Sequence, residues 1–157
     1  MSAESQEKVL NQAAALLEYQ NRSCQALFER LLEKGADEQD AAYAVARLRE
    51  LGYLDDARYG ALILRDLVAR GYGKARVRQK MREKKIEESV IVTLLETYEP
   101  DREKLAALAA ARLRGKPIDR RELKRTADAL FRRGFSWSEI QDVLREFEMQ
   151  AEEIYED

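Results

Sequence analysis

A pattern of apolar positions that recurs about every fifty residues constrains this chain more than any other feature of its sequence. When the chain is shifted by about fifty residues, and then by about forty-nine more, helix-spaced apolar positions of one segment fall on apolar positions in two later segments. The aligned sets are Ala41, Ala44, Val45 and Leu48, then Ile91, Leu94, Leu95 and Tyr98, then Ile140, Val143, Leu144 and Phe147. In the helices before them, Leu31 aligns with Met81 and Leu130, and the breaks align Gly35 with Lys85 and Gly134.

The starts of the aligned helices repeat as well. Ser136 and Glu139 form an S-x-x-E capping box, and Phe135 and Ile140 flank it at the spacing of a hydrophobic staple. The corresponding staple pairs in the earlier copies are Ile86 with Ile91, and Ala36 with Ala41 around the N-cap candidate Asp37. Unrelated amphipathic helices can be slid into register by chance, but agreement of core positions, breaks and caps favours a true repeat.

Apolar residues at helical spacing recur along the whole chain, and the chain contains only two prolines, Pro100 and Pro117. The sequence therefore predicts an all-α protein of about nine helices, built as three tandem three-helix repeats in an elongated, curved array. The predicted repeats are residues 1–54, 55–100 and 101–150. An acidic tail, residues 151–157, is expected to fray because its negative charges lie at the negative end of a helix dipole.

The residue types needed for most catalytic sites are missing from the sequence. The chain has no histidine and a single cysteine, Cys24, so a histidine general base and a Cys/His zinc site are both excluded. We expect Cys24 to be a packing residue rather than a reactive thiol. The pair Asp55 and Asp56 could hold a metal. The start of a helix explains the pair better, with Asp55 as the N-cap and Asp56 complementing the helix dipole. The sequence thus predicts a protein without catalysis, cofactor or metal.

The sequence starts Met1-Ser2-Ala3-Glu4, with an acid where a secretory signal peptide would be basic. The apolar segment of a signal peptide does not follow it. No uncharged stretch approaches the length of about 18 apolar residues that a membrane span requires. We therefore expect a cytoplasmic protein that does not contact membranes.

The net charge of −2 conceals a strongly uneven distribution of charge along the chain. Residues 70–85 carry eight cations against the single acid Glu83, and a second basic block covers residues 112–133. Like charges one turn apart cost about 0.2–0.5 kcal/mol per pair, so such a face favours an anionic partner over a merely solvated surface. Because Tyr72 is nearly the only aromatic among these cations, phosphate or carboxylate contact should outweigh base stacking. The candidate contact residues are Arg70, Lys74, Arg76, Arg78, Lys80, Arg82, Lys84 and Lys85, with Arg112, Arg114, Arg121, Lys124 and Arg125 from the second block.

Three short segments of the chain carry recognisable motifs. Residues 51–59 (LGYLDDARY) match a G-Y-L-[DN]-D-x-[RK]-[FY] stretch, and residues 70–77 (RGYGKARV) match a G-x-G-x-x-R-[IV] segment. Residues 133–136 (RGFS) match an R-G-[FY]-[ST] turn. These three segments resemble signatures of the bacterial RecX regulators. Where the family commonly has K-G-I, this chain has Lys85 in place of the glycine, so Lys85 either adopts a left-handed conformation or the helix ends differently.

The resemblance implies a monomeric, non-catalytic regulator that binds the RecA recombinase and its filament on single-stranded DNA. It implies modulation, most often inhibition, of RecA's ATPase, recombinase and coprotease activities in DNA repair, recombination and the SOS response. The basic helix would meet either DNA phosphates, double-stranded DNA included, or an acidic RecA surface. Two alternatives remain from the residues themselves: a helical-repeat nucleic-acid-binding module, and a protein adaptor without a RecA partner.

Overall fold

The computed structural model describes residues 2–156, with side chains described through residue 152. Within these residues the chain forms nine α-helices and no strand, which confirms the predicted all-α fold. The helices are α1 Ala3–Tyr19, α2 Cys24–Glu33, α3 Glu38–Glu50, α4 Asp56–Ala69, α5 Lys74–Glu83, α6 Glu88–Leu95, α7 Arg102–Leu113, α8 Arg120–Arg132 and α9 Trp137–Glu156. Because α9 runs to Glu156, most of the predicted acidic tail is helical backbone, while Asp157 and the side chains of residues 153–157 lie outside the described residues.

Side-chain caps fix the starts of several helices. The Ser136 hydroxyl accepts from the Glu139 N–H at 3.1 Å, and Glu139 accepts from the Ser136 N–H at 2.9 Å, which confirms the predicted capping box. Asp55 accepts from the Arg58 N–H at 3.1 Å and caps α4 as predicted. Asp37 stands at the N-cap of α3, but its side chain makes no capping hydrogen bond.

Five helix ends share one C-terminal motif. In each, a residue with positive φ is followed by a residue whose N–H donates to the carbonyl five positions back, the Schellman arrangement. The left-handed residues are Gly35, Gly52, Gly71, Lys85 and Gly134, and the residues that follow them are Ala36, Tyr53, Tyr72, Ile86 and Phe135. Lys85 has a φ of 59°, so this side chain does occupy the position where the family commonly has glycine. The aligned breaks of the sequence therefore correspond to one repeated backbone turn.

The chain divides into two compact units. The first unit comprises Met1–Ile63 and Lys80–Glu96, and the second comprises Leu64–Gln79 and Thr97–Asp157. The division falls inside α4 and α5, and the boundaries of the three sequence repeats stay a prediction.

Each unit has its own apolar core, and the repeated positions lie in it. In the first unit Leu31, Ala41, Ala44 and Leu48 are buried, and Met81, Ile91 and Leu95 are buried as well. In the second unit Leu130, Ile140, Val143 and Leu144 belong to one core cluster. Most of the positions aligned by sequence are thus core positions.

Candidate partner-binding surfaces

In the second unit the end of α4 lies directly against the end of α8. The Gly73 N–H donates to the Arg133 carbonyl at 2.9 Å, and the Ala75 N–H donates to the Gly134 carbonyl at 3.2 Å. A Cβ at Gly73 would lie 2.3 Å from the Gly134 carbonyl carbon and 2.4 Å from the Phe135 nitrogen. Glycine is required at position 73 because two backbone segments touch there.

Arg133 closes this junction with its side chain. Its Nε donates to the Gly71 carbonyl at 2.8 Å, and a terminal nitrogen donates to the Arg70 carbonyl at 2.9 Å. The same guanidinium lies 4.2 Å from the centre of the Tyr72 ring, and Arg70 and Arg76 lie 6.0 Å from it. The cation at position 133 therefore stabilises the end of α4, where carbonyls lack helical partners. Tyr72 is surrounded by this chain's own arginines.

Two of the predicted cations of α5 in the second unit lack an ion pair among the described residues. Among the described side chains none forms an ion pair with Lys74, which is exposed, or Arg78, which is half-buried. By contrast, Arg70 pairs with Asp66 at 3.1 Å, and Arg76 donates to Gln79 at 2.9 Å. The uncompensated charge of this part of α5 is therefore concentrated on Lys74 and Arg78.

The predicted cations of the first unit are mostly paired within that unit. Arg82 binds Glu88 through two hydrogen bonds, of 2.7 and 3.3 Å, and Lys80 lies 3.9 Å from Glu83. Lys85 pairs with Glu29, and this hydrogen bond lowers the pKa of the Glu29 carboxyl. Of this group only Lys84 has no ion-pair partner among the residues that the structure describes.

The second basic block contains two cations that share one acidic partner and four predicted cations that do not pair within the described residues. Arg125 lies 3.7 Å from Glu122, the same carboxylate that Lys116 approaches at 3.8 Å. The other predicted cations of this block are exposed and have no ion pair in the part of the chain that the structure describes. They are Arg112, Arg114, Arg121 and Lys124.

Asp56 has a role that the sequence did not indicate. Its Oδ1 accepts from the Cys24 N–H at 2.8 Å, and its Oδ2 accepts from the Glu87 N–H at 3.2 Å. Cys24 is the first residue of α2 and Glu87 is the N-cap of α6, so one carboxylate on α4 binds the amino ends of two other helices. The prediction that it complements only its own helix dipole was incomplete. Its partners are 32 and 31 residues away, and no local spacing shows them.

Burial, followed by the charge of Asp56, raises the pKa of the Cys24 thiol to about 12. Because only the thiolate is nucleophilic, we expect iodoacetamide at pH 8 to alkylate Cys24 at least about a hundredfold more slowly than a free thiol of ordinary pKa. Alkylation followed by intact-protein mass spectrometry measures the rate, with urea-unfolded protein as the reference. Equal rates for the folded and unfolded chain would contradict the protected thiol.

Comparison with family models matches three successive segments of the chain to three-helix domains of one family. Residues 10–48 match the first three-helix domain of RecX, residues 55–95 match the second, and residues 99–144 match the third. The chain belongs to the RecX family. The resemblance inferred from the three signature segments is therefore confirmed.

Curated relatives and solved structures agree with this assignment. Regulatory protein RecX of Halorhodospira halophila is 34% identical over 138 residues, which are 85% of this chain and 84% of the relative. Regulatory protein RecX of Vibrio parahaemolyticus is 34% identical over 134 residues, covering 84% of this chain and 86% of the relative. A crystal structure of RecX from Lactobacillus salivarius shares the fold with a TM-score of 0.87 at 21% identity, covering 94% of this chain and 99% of that one.

The first RecX signature is built around a helix junction. Asp55 caps α4, Asp56 binds the ends of two other helices, and the Arg58 guanidinium donates to the Gly52 carbonyl at 3.0 Å. Leu54, which is 2% exposed, fills the core beside them. These contacts give the acidic pair a structural role.

Two further observations bear on function. Within the described residues no group of three or more histidine, cysteine, aspartate or glutamate side chains could hold a metal ion. None of the described helices combines the length and the apolar character that crossing a membrane requires.

Proposed function

We propose that this RecX-family protein is a non-catalytic cytoplasmic regulator that binds RecA and its filament on single-stranded DNA and lowers RecA's recombinase, ATPase and coprotease activities. Relatives that match most of the chain are named regulatory proteins, which supports a regulatory role. The role in DNA repair and recombination follows from the RecA partner that we propose. The observation that carries the proposal is the family match together with cations that form no ion pair among the residues that the structure describes.

We assign to the filament the cations that form no ion pair with any described side chain. In the second unit these include Lys74 and Arg78 on α5, with Arg112, Arg114, Arg121 and Lys124 from the second block. An exposed cation that lacks an internal partner keeps its full charge for a phosphate or a carboxylate, whereas a paired one must first break its ion pair. We therefore give Arg82, Lys85 and Arg70 a smaller share of binding than the sequence suggested.

A filament titration tests the proposal. The protein is added to RecA assembled on single-stranded DNA, and ATP hydrolysis and filament length are followed. We expect both to decrease at protein concentrations well below that of RecA. If neither changes when the protein equals RecA in concentration, the regulator proposal is wrong. Binding to DNA alone that weakens steeply with salt would then favour a nucleic-acid module, and a flat salt response would favour a protein adaptor.

Reversing the charge of Lys74 and Arg78 should weaken filament binding. We expect the double variant Lys74→Glu, Arg78→Glu to need at least about tenfold more protein for half-maximal inhibition of RecA's ATPase, because two attractive contacts become repulsive. Arg82 is left unchanged because its reversal would also break the pair with Glu88.

The matched control is Lys8→Glu, Lys34→Glu, which changes the net charge equally at exposed positions outside the proposed surface. Circular dichroism should show the same helix content for both variants. Equal loss of inhibition in the two variants would mean that net charge, rather than this surface, controls binding.

A further inference from the structure

A small pocket lies on the first unit, between the end of α1 and the connection from α3 to α4. Its volume of about 40 Å³ is roughly three times what a cavity needs to hold one water molecule, so it admits a group of a few heavy atoms. Its polar and aromatic lining consists of Asn21, Arg22, Tyr53, Asp55, Arg58 and Tyr59. None of these residues was among the predicted contact residues.

Arg22 is the first indication that the pocket takes a ligand. Its Nε is shielded from solvent and has no hydrogen-bond partner in the structure. A guanidinium stays charged at every accessible pH, and a shielded, unpaired N–H on a charged group is costly. An anion in the pocket would supply the missing acceptor.

The other polar groups of the pocket also favour an anion. Arg58 uses one terminal nitrogen for the Gly52 carbonyl at 3.0 Å, which leaves its other N–H groups available. Burial raises the pKa of the Tyr59 hydroxyl while the charge of Arg22 opposes that change, so the hydroxyl is protonated at neutral pH and can donate. The one acid of the lining, Asp55, is already engaged by the Arg58 N–H at the start of α4. Two cations thus face one carboxylate.

Tyr53 distinguishes this site from the other Schellman turns of the chain. Its counterparts in the other four turns, Ala36, Tyr72, Ile86 and Phe135, are buried or half-buried. Tyr53 is 68% exposed. A large aromatic side chain in this position normally packs against its own helix, so an exposed one beside a cationic pocket is available for a flat, apolar ligand surface.

We propose that this pocket binds one phosphodiester group of single-stranded nucleic acid, with Arg22 and Arg58 on the phosphate and Tyr53 stacked on the adjacent base. A single strand presents both groups next to each other, and its bases are free to stack. An acidic peptide would satisfy the arginines but would leave the ring of Tyr53 uncovered. The inference deepens the proposed function, on which it rests, by adding a nucleic-acid contact on the first unit.

The test measures binding of the full chain to a fluorescein-labelled 12-nucleotide oligothymidylate and to the same strand made entirely of abasic sites. We expect Arg58→Gln to weaken binding to both strands by about fivefold and to lower the salt slope by about 0.7, the value for one lost phosphate contact. Tyr53→Leu should weaken binding to oligothymidylate by about tenfold and leave binding to the abasic strand unchanged, because only the stacked base is lost.

The control variants are Arg47→Gln and Tyr43→Leu, which remove an exposed arginine and an exposed tyrosine of α3 outside the pocket. The proposal is overturned if the unchanged protein does not bind oligothymidylate, or if Arg58→Gln and Tyr53→Leu bind it as their controls do. Loss of RecA inhibition in these variants without any loss of oligothymidylate binding would assign the pocket to a protein partner instead. Oligothymidylate binding through the pocket by a protein that leaves RecA unaffected would keep this inference and refute the proposed function.

Discussion

Replacing Gly73 with alanine will lower the free energy of unfolding of the second unit by about 3 kcal/mol or more. The new Cβ would lie 2.3 Å from the Gly134 carbonyl carbon and 2.4 Å from its oxygen. Backbone atoms cannot rotate away as a side chain can, so the two segments must separate. Separation also weakens the hydrogen bond from the Gly73 N–H to the Arg133 carbonyl.

Urea unfolding followed by fluorescence of Trp137 measures this loss directly, because the only tryptophan of the sequence lies in the second unit. Gly115→Ala is the matched control: Gly115 has a φ of +72°, but a Cβ there would meet nothing within 4 Å. Its cost should be only that of a left-handed alanine, about 1–2 kcal/mol. A Gly73→Ala variant as stable as Gly115→Ala would show that the backbone segments at residues 73 and 134 do not pack closely in solution.

The repeat pattern predicted the helices and many core positions well, because the periodic spacing of apolar residues is a local property of the sequence. Leu31, Met81 and Leu130 were aligned by sequence alone, and each is at most 1% exposed. Lys85 shows the strength of the pattern, because the turn keeps its left-handed conformation even where a lysine replaces glycine. Core positions, caps and turns could therefore be predicted from spacing.

The candidate surfaces were less predictable, because the sequence shows the charge of a helix face but not which charges a neighbouring segment neutralises. Arg82 and Lys85 belong to a strongly basic run, yet the fold brings Glu88 and Glu29 to them. Arg133 belongs to a basic block, yet its guanidinium is bonded to backbone carbonyls more than sixty residues away. Such pairings depend on tertiary packing, and no periodicity within one helix encodes them.

Asp56 is the position where contacts that the sequence does not show have the largest energetic consequence. We expect Asp56→Ala to lower the free energy of unfolding of the first unit by about 3 kcal/mol, since it removes two charge-assisted hydrogen bonds, of 2.8 and 3.2 Å, and leaves two helix ends without their acceptor. Asp56→Asn should recover only part of this loss, because an amide offers one oxygen and must turn its NH₂ group toward the other N–H.

The decisive measurement for Asp56 is amide hydrogen exchange, because it separates this role from ordinary capping. In Asp56→Ala the Cys24 and Glu87 amides should exchange markedly faster, and the Cys24 thiol should become easier to alkylate because the nearby carboxylate that raises its pKa is gone. Asp55→Ala, which removes only the cap of α4, should cost about 1 kcal/mol and leave both amides protected. If the two variants lose equal stability and the Cys24 and Glu87 amides exchange alike in both, then Asp56 acts only on its own helix, as the sequence first suggested. A selective effect at both amides would instead show that one carboxylate holds α2, α4 and α6 together.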